Sequence, residues 1–294
     1  MVRMRALVRS RAVLLAGVAV SVAVPALTLP RLPAITLWPL LLGLVPWVLG
    51  KYLLCPLRWR VLTDAGLSRR WHLRAYAESE LLGLLTPGHV GADVWRVTRL
   101  HRTGMGRGDA VLSVGTDRFV GALGLIAFVA FAGTALPTRM LLVAAGVGAG
   151  AIVLVLVVRR LRPGLLPSRP LPRPRQLAHG LLLSAGYQLS IAGLLLGTVA
   201  ATGHTLSPLA ALGAFGASQL AGTVPGPNGA SPRDGALVVA LAALGVPWDA
   251  AAAAVAIKAT LAWLPALALG GVSLLLARRA LRHVDGAGTV LPAS

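Results

Sequence analysis

The chain is poor in acid, almost without lysine, and holds one cysteine. Nine Asp and Glu stand against 28 Lys and Arg, and of the basic residues only Lys51 and Lys258 are lysine. A lone Cys55 excludes a disulfide framework within the chain and a cysteine-based metal site. No GxSxG, Walker loop or HExxH is present, and no polar stretch is large enough to form a soluble catalytic domain, so neither a metal nor a cofactor is expected. Charge itself is scarce: 13% of the residues, against about 25% in soluble proteins.

What fills the chain instead is apolar. Hydrophobic residues make up 56%, the mean hydropathy is +0.77, and several runs reach the roughly 18 residues needed to cross a bilayer. The expected class is an all-α integral membrane protein. The net charge of +19 does not indicate nucleic-acid binding, because the Arg are dispersed between apolar spans rather than gathered in one patch. Expected spans are 12–29, 34–57, 109–133, 139–158, 179–201 and 249–277. Arg3, Arg5, Arg9 and Arg11 precede the first. A cleaved signal peptide shares that basic start, but the run is long for one and no small-x-small site follows, so an uncleaved helix is expected.

Two segments fit no simple span. "TPGHVGADVWR" (Thr86–Arg96) lies in 75–95, which also carries Glu78, Glu80 and Asp93. "VPGPNGASPRDG" (Val224–Gly235) splits 208–246 into two pieces too short to cross. If 75–95 crossed straight through, one of two Arg-rich loops would face outward, against the positive-inside bias. If each segment dips in and returns, 22 of the 28 basic residues face the cytoplasm, including Arg58, Arg60, Arg69, Arg70, Arg74 and Arg96. Arg31 and Arg139 then face outward, and Lys51, Arg118, Arg233 and Lys258 lie in or near the membrane. The chain becomes a polytopic helical bundle of two inverted four-element repeats, each with a re-entrant broken helical hairpin. Repeat one covers about 1–137 and repeat two about 138–284. Together they form a single membrane domain, with a basic cytoplasmic loop at 159–178, a short tail at 285–294, and both termini on the cytoplasmic side of the plasma membrane.

Pro-Gly at 87–88 and 225–226 ends one half-helix, and Gly91 and Gly229 let backbone come close to a ligand or a neighbour. The half-helix that follows would aim free N–H groups at the membrane interior, where an anion is the natural guest. Tight turns between short helices are the bland alternative for either phrase alone. Charges at membrane depth need partners and usually have a role. Asp117 and Arg118 follow the first phrase and Lys258 follows the second, with Asp93, Asp117 and Asp234 as candidate partners. Lys258 has no acid within a helical turn, so it reads as an unpaired cation facing a cavity. An ion-pair network that only holds helices together remains open beside this. A metal cluster of His89, Glu78 and Glu80 is conceivable in principle, and nothing else supports it. The seven Trp fall mostly near span ends, as interfacial Trp do.

The order "LLTPGHVGADVWR", "TDRFVGALGL", "VPGPNGASPRDGALVVALAALGV" and a last helix with a basic residue resembles the lysylphosphatidylglycerol synthase transmembrane (flippase-like) family. The likeness extends over nearly the whole chain. It implies motif positions at Pro87, Gly88, Gly91, Asp117, Arg118, Pro225, Gly226, Gly229, Arg233 and Asp234. Two departures stand out: Ala92-Asp93 replaces the family's usual Glu after Gly91, and Ala230-Ser231-Pro232 separates Gly229 from Arg233. Lysine transfer is not expected, since only "HVDGAGTVLPAS" follows Arg282.

The expected function is a lipid flippase that moves a phospholipid or lipid-linked headgroup by alternating access without ATP. The substrate site would hold Pro87, Gly88, Gly91, Asp93, Asp117, Arg118, Pro225, Gly226, Gly229, Arg233, Asp234 and Lys258, with Glu80, Asp93 and Asp117 as candidates for proton coupling. The expected partner is a membrane lipid with an anionic or polyprenyl-phosphate-type headgroup, alongside a soluble synthase or a second copy. Two alternatives stay open: a membrane-embedded transferase with Asp117 or Glu80 as base, and a non-catalytic docking partner of a soluble synthase.

Overall fold

The computed structural model describes residues 36–86, 89–131, 170–221, 228 and 231–276, with a few isolated positions between 153 and 161. Every regular element among them is helical. Prolines set many of the helix starts. Pro174, Pro208 and Pro232 each stand at or next to the first helical position, where a missing N–H costs nothing.

We number the helices α1 Leu37–Thr63, α2 Arg69–Leu84, α3 Val90–His101, α4 Arg107–Phe131, α5 Pro174–Ala201, α6 Pro208–Ala221, α7 Pro232–Ala243 and α8 Trp248–Leu276. α1, α4, α5 and α8 are long and apolar enough to cross a membrane. The others are not. α2, the longest of them at 16 residues, reaches about 24 Å, short of a hydrocarbon core of about 30 Å. Among the described residues each awkward segment therefore contributes two short helices, α2 and α3 in the first and α6 and α7 in the second.

α1 extends six residues past the expected end at 57, and α5 begins five residues before 179, inside the expected loop. Both long helices with an internal proline near their centre are locally widened. Gly50–Leu54 of α1 is a π turn just ahead of Pro56, and Ala266–Gly271 of α8 is another just after Pro265. A proline removes one i→i−4 bond and its ring crowds the preceding turn, which the π turn ahead of Pro56 relieves.

α1 and α5 pack face to face at the centre. A Cβ on Gly43 would come within 2.6 Å of the Gly193 carbonyl, so these backbones touch. Close approach of small residues is how helices associate where lipid is as apolar as leucine. α2 packs on α3 and on the π turn of α8, while α6 packs on α7 and on α4. Trp47 and Trp59, expected at the interface, are instead core side chains, whereas Trp38 and Trp248 are exposed. The expected span 12–29, the expected span 139–158 apart from Val153 and Val157, and positions 159 and 162–169 of the expected loop lie outside the described residues.

Candidate functional site

The site is built on a stripe of α1. Trp47, Lys51, Cys55 and Arg58 recur at helical spacing and line one side of a cavity of about 380 Å³. α5 lines it with Tyr187, Gln188, Ile191 and Leu194, and α4 with Arg118, Gly121, Ala122 and Leu125. Residues at the ends of the short helices complete it: Glu80, Thr86 and His89 from the first pair, Phe215, Ser231 and Arg233 from the second. Lys258 of α8 also lines it.

Behind this wall sits Asp117. Arg58 donates from Nε to one of its oxygens at 2.8 Å, and Arg96 donates from Nη1 to the other, also at 2.8 Å. Arg96 lies over the rings of Trp59 and Tyr76 and donates from Nη2 to Asp93 at 2.7 Å. Asp93 in turn accepts from Arg118 at 2.9 Å. Cation and carboxylate thus alternate between two cavity-lining guanidiniums, through buried Asp117 and Arg96: Arg58, Asp117, Arg96, Asp93, Arg118.

Two corrections follow. The charge count assigns Arg58 and Arg96 to cytoplasmic loops, yet both are buried and serve Asp117. The sequence places Arg118 at membrane depth beside Asp117. Its side chain is 45% exposed and its partner is Asp93, because neighbours on a helix point about 100° apart and cannot share Asp117's surroundings.

A second group sits on the same cavity. Lys51 Nζ lies 2.8 Å from Glu80 and over the ring of Tyr187, while His89 Nε2 lies 3.4 Å from the same Glu80 oxygen. Glu78 goes elsewhere. Its carboxylate accepts from Trp95 and Ser273 and pairs with Arg99, tying α2 to α3 and α8. Two residues apart on a helix, Glu78 and Glu80 face opposite ways, so they cannot close on His89 together. Among the described residues no group of three or more His, Cys, Asp and Glu is arranged to hold a metal.

In the second half Lys258 Nζ stands 3.6 Å from Asp234, so Lys258 is paired rather than lone as its sequence neighbourhood suggests. Asp234 also accepts from the Ser231 hydroxyl, and Ser231 accepts from the Asp234 N–H, closing a capping box on α7. At the first break Thr86 accepts the Gly91 N–H at 2.8 Å. A Cβ on Gly91 would sit 2.6 Å from the Leu82 carbonyl, so only glycine fits where the two short helices meet. Each helix start thus spends one N–H on its own cap.

Gly91, Asp93, Asp117, Arg118, Arg233, Asp234, Lys258 and Glu80 are described. The expected site residues Pro87, Gly88, Pro225, Gly226 and Gly229 lie outside the described residues. Of the proton-coupling candidates, Glu80 lines the cavity directly, Asp93 reaches it through Arg118, and Asp117 has an Arg on each oxygen. Lys51, Arg58 and Gln188 are cavity residues not singled out as site residues. The seven-residue spacing of Lys51 and Arg58, two turns of one helix face, is the signal that finds them.

The charge around the cavity is one-sided. Its described lining has five Lys and Arg (Lys51, Arg58, Arg118, Arg233, Lys258) and one carboxylate, Glu80. With the residues that pair to them, six cations (the five and Arg96) face four carboxylates (Glu80, Asp93, Asp117, Asp234). Such an excess inside a helical bundle suits a negatively charged guest. Trp47, Leu125, Ile191, Leu194 and Phe215 supply apolar wall.

These features define a multi-pass helical membrane protein with a cationic internal cavity. The family described as lysylphosphatidylglycerol synthase TM region matches residues 10–270, and the chain belongs to it. No curated protein matches the chain, and no solved structure does.

Proposed function

We propose that this protein is a translocase for a phosphate-bearing lipid headgroup in the plasma membrane, working by alternating access without ATP. The observation that carries the reading is the cavity, with five basic side chains and an apolar wall enclosed between helices long enough to span. A phosphate would sit among the cations, where charge-assisted hydrogen bonds contribute about 1.5–3 kcal/mol each, and acyl chains would leave along the apolar side. Membership of a lipid-related membrane family supports the same reading.

In this proposal α2–α3 and α6–α7 are re-entrant pairs, entering from the cytoplasm and from outside respectively. The chain is one domain of two inverted repeats with both termini cytoplasmic. Reciprocal packing supports that plan: α1 meets its counterpart α5, and α2 on α8 mirrors α6 on α4. The doubly paired Asp117 supports charge balance over general-base chemistry, which disfavours the transferase alternative in which Asp117 is the base.

The test is lipid movement in proteoliposomes with head-labelled anionic, zwitterionic and cationic lipids. We expect faster exchange of anionic headgroups, lost on Arg233→Ala. A folded, correctly oriented preparation that moves no lipid faster than empty vesicles overturns the proposal.

A further inference from the structure

By length α8 is one spanning helix, but its two halves pack against different neighbours. The first, Trp248–Leu261, buries Ala251 and Ala254 in one cluster with Leu237 and Leu241 of α7 and Leu195 of α5. The second buries Ala266 against Leu81 and Leu84 of α2. A Cβ on Gly270 would collide with the Ala77 carbonyl, so the backbones of α8 and α2 touch there. Polar contacts divide in the same way. Lys258 pairs with Asp234 of α7, while the Ser273 hydroxyl donates to Glu78 of α2 at 2.8 Å. Ala262 packs against both clusters and marks the boundary.

The helix is interrupted at that boundary. Regular winding ends at Leu261, resumes over Trp263–Pro265 and then widens into the π turn Ala266–Gly271. Pro265 has no N–H to offer the Leu261 carbonyl. The Ala259 carbonyl is met from outside the helix, by the Asn228 side-chain amide at 3.0 Å. A proline, a π turn and a side chain entering the ladder are each recognised causes of a kink, and all three fall between Ala259 and Gly271. Asn228 also changes what bending costs. A carbonyl already bonded to a side chain is not stranded when the turn beside it opens.

We infer that Ala262–Pro265 is a hinge, about which α7 and the first half of α8 tilt against α2, α3 and the second half. The second side is the firmer one. Glu78 ties α2 to α3 through Trp95 and Arg99 and to α8 through Ser273, and Asp117 ties α3 to α1 and α4. Bending at the hinge changes the angle between the two sides while Ser273–Glu78 and Lys258–Asp234 both stay closed. A few element-terminal residues commonly absorb such motion. The inference goes beyond the translocase reading, because it holds for any guest of the cavity.

The test is distance measurement between spin labels in the full-length protein, in nanodiscs of phosphatidylglycerol and phosphatidylcholine. Cys55→Ala removes the one native cysteine. Labels on Arg74→Cys of α2 and Val239→Cys of α7, both exposed positions, report across the hinge. Labels on Arg175→Cys and Leu189→Cys, also exposed, report within the unbroken helix α5. We expect the distribution across the hinge to be at least about twice as wide as the one within α5. Pro265→Ala gives the Leu261 carbonyl its missing N–H and should narrow the first distribution to match the second. Asn228→Ala leaves the Ala259 carbonyl dependent on the helix, favours the straighter form, and should narrow it part of the way. That substitution leaves the α8 backbone unaltered, so it keeps the test decisive if Pro265→Ala does not fold.

A wild-type spread no wider than that within α5, or a spread that neither substitution narrows, overturns the inference. Either result leaves the translocase proposal standing. Lipid that fails to move through a protein with a working hinge sinks only the translocase.

Discussion

Arg96 and Asp117 lie 2.8 Å apart, both shielded from solvent, on helices α3 and α4. The pair joins the second of two short helices to a spanning helix, and Arg58 adds α1 to the same carboxylate. Three elements therefore meet on one buried charge. Through Asp93 the same Arg96 fixes Arg118, which reaches the cavity. Anything that displaces α3 relative to α4 must rearrange this chain of charges, which makes it the link between the geometry of the first break and the charge of the cavity.

Removing the shared carboxylate should be severe. Asp117→Asn leaves two buried guanidiniums facing one neutral amide, and breaking a buried pair costs about 3–5 kcal/mol. Arg118→Gln touches an ion pair with partly exposed partners and should cost under about 1 kcal/mol. Thermal unfolding of the two variants in detergent checks this. Similar melting temperatures for both would show that Asp117 is not the structural centre.

Much of this architecture is legible in the sequence. Apolar runs predict the all-helical membrane class, and the two charged or short segments at 75–95 and 208–246 hold only helices too short to span. The partners of the charges are harder to read. Arg58 lies just past the end of the apolar run, so it reads as a loop cation until α1 is seen to continue to Thr63. Arg96 closes a motif and opens a basic stretch, and nothing local shows that its helix face turns inward. Asp234 stands 24 residues before Lys258, a separation that only folding of α7 onto α8 closes. Local pattern fixes helix existence. Which charges meet depends on helix register and packing, which composition does not record.

The junction of α2 and α3 gives a second prediction. Because a Cβ at Gly91 would press on the Leu82 carbonyl and on Thr86, Gly91→Ala forces the two helices apart. Overpacking of this kind costs about 1–3 kcal/mol. Thr86→Ala, which removes the Gly91 N–H acceptor without adding bulk, should cost about 1 kcal/mol. Unfolding of both variants in detergent orders them. A Gly91→Ala protein as stable as wild type would mean the contact is easily relaxed.

Lys258 and Asp234 should behave as a coupled unit. Their separation of 3.6 Å and near-complete burial predict a coupling energy above about 0.5 kcal/mol in a double-mutant cycle of Lys258→Met and Asp234→Asn. The single substitutions each leave a buried charge, so the double variant should be more stable than the worse single one. Strict additivity of the three melting shifts would show that the two side chains act independently.

Arg233 separates binding from stability. It lines the cavity one residue before Asp234, is only half-buried, and makes no ion pair among the described residues. Its removal strands no carboxylate, so Arg233→Ala should shift stability by no more than about 0.5 kcal/mol. A charge-assisted bond to phosphate contributes about 1.5–3 kcal/mol, so the same change should weaken binding of an anionic headgroup by roughly 10- to 100-fold. Arg233→Lys keeps the charge but loses the planar fork, and should fall between the two. Titration of phosphatidylglycerol against wild type and both variants, with unfolding measured in parallel, gives the result directly. Wild-type affinity in Arg233→Ala would remove Arg233 from the binding site and leave the anion to the other lining cations, Lys51, Arg58, Arg118 and Lys258.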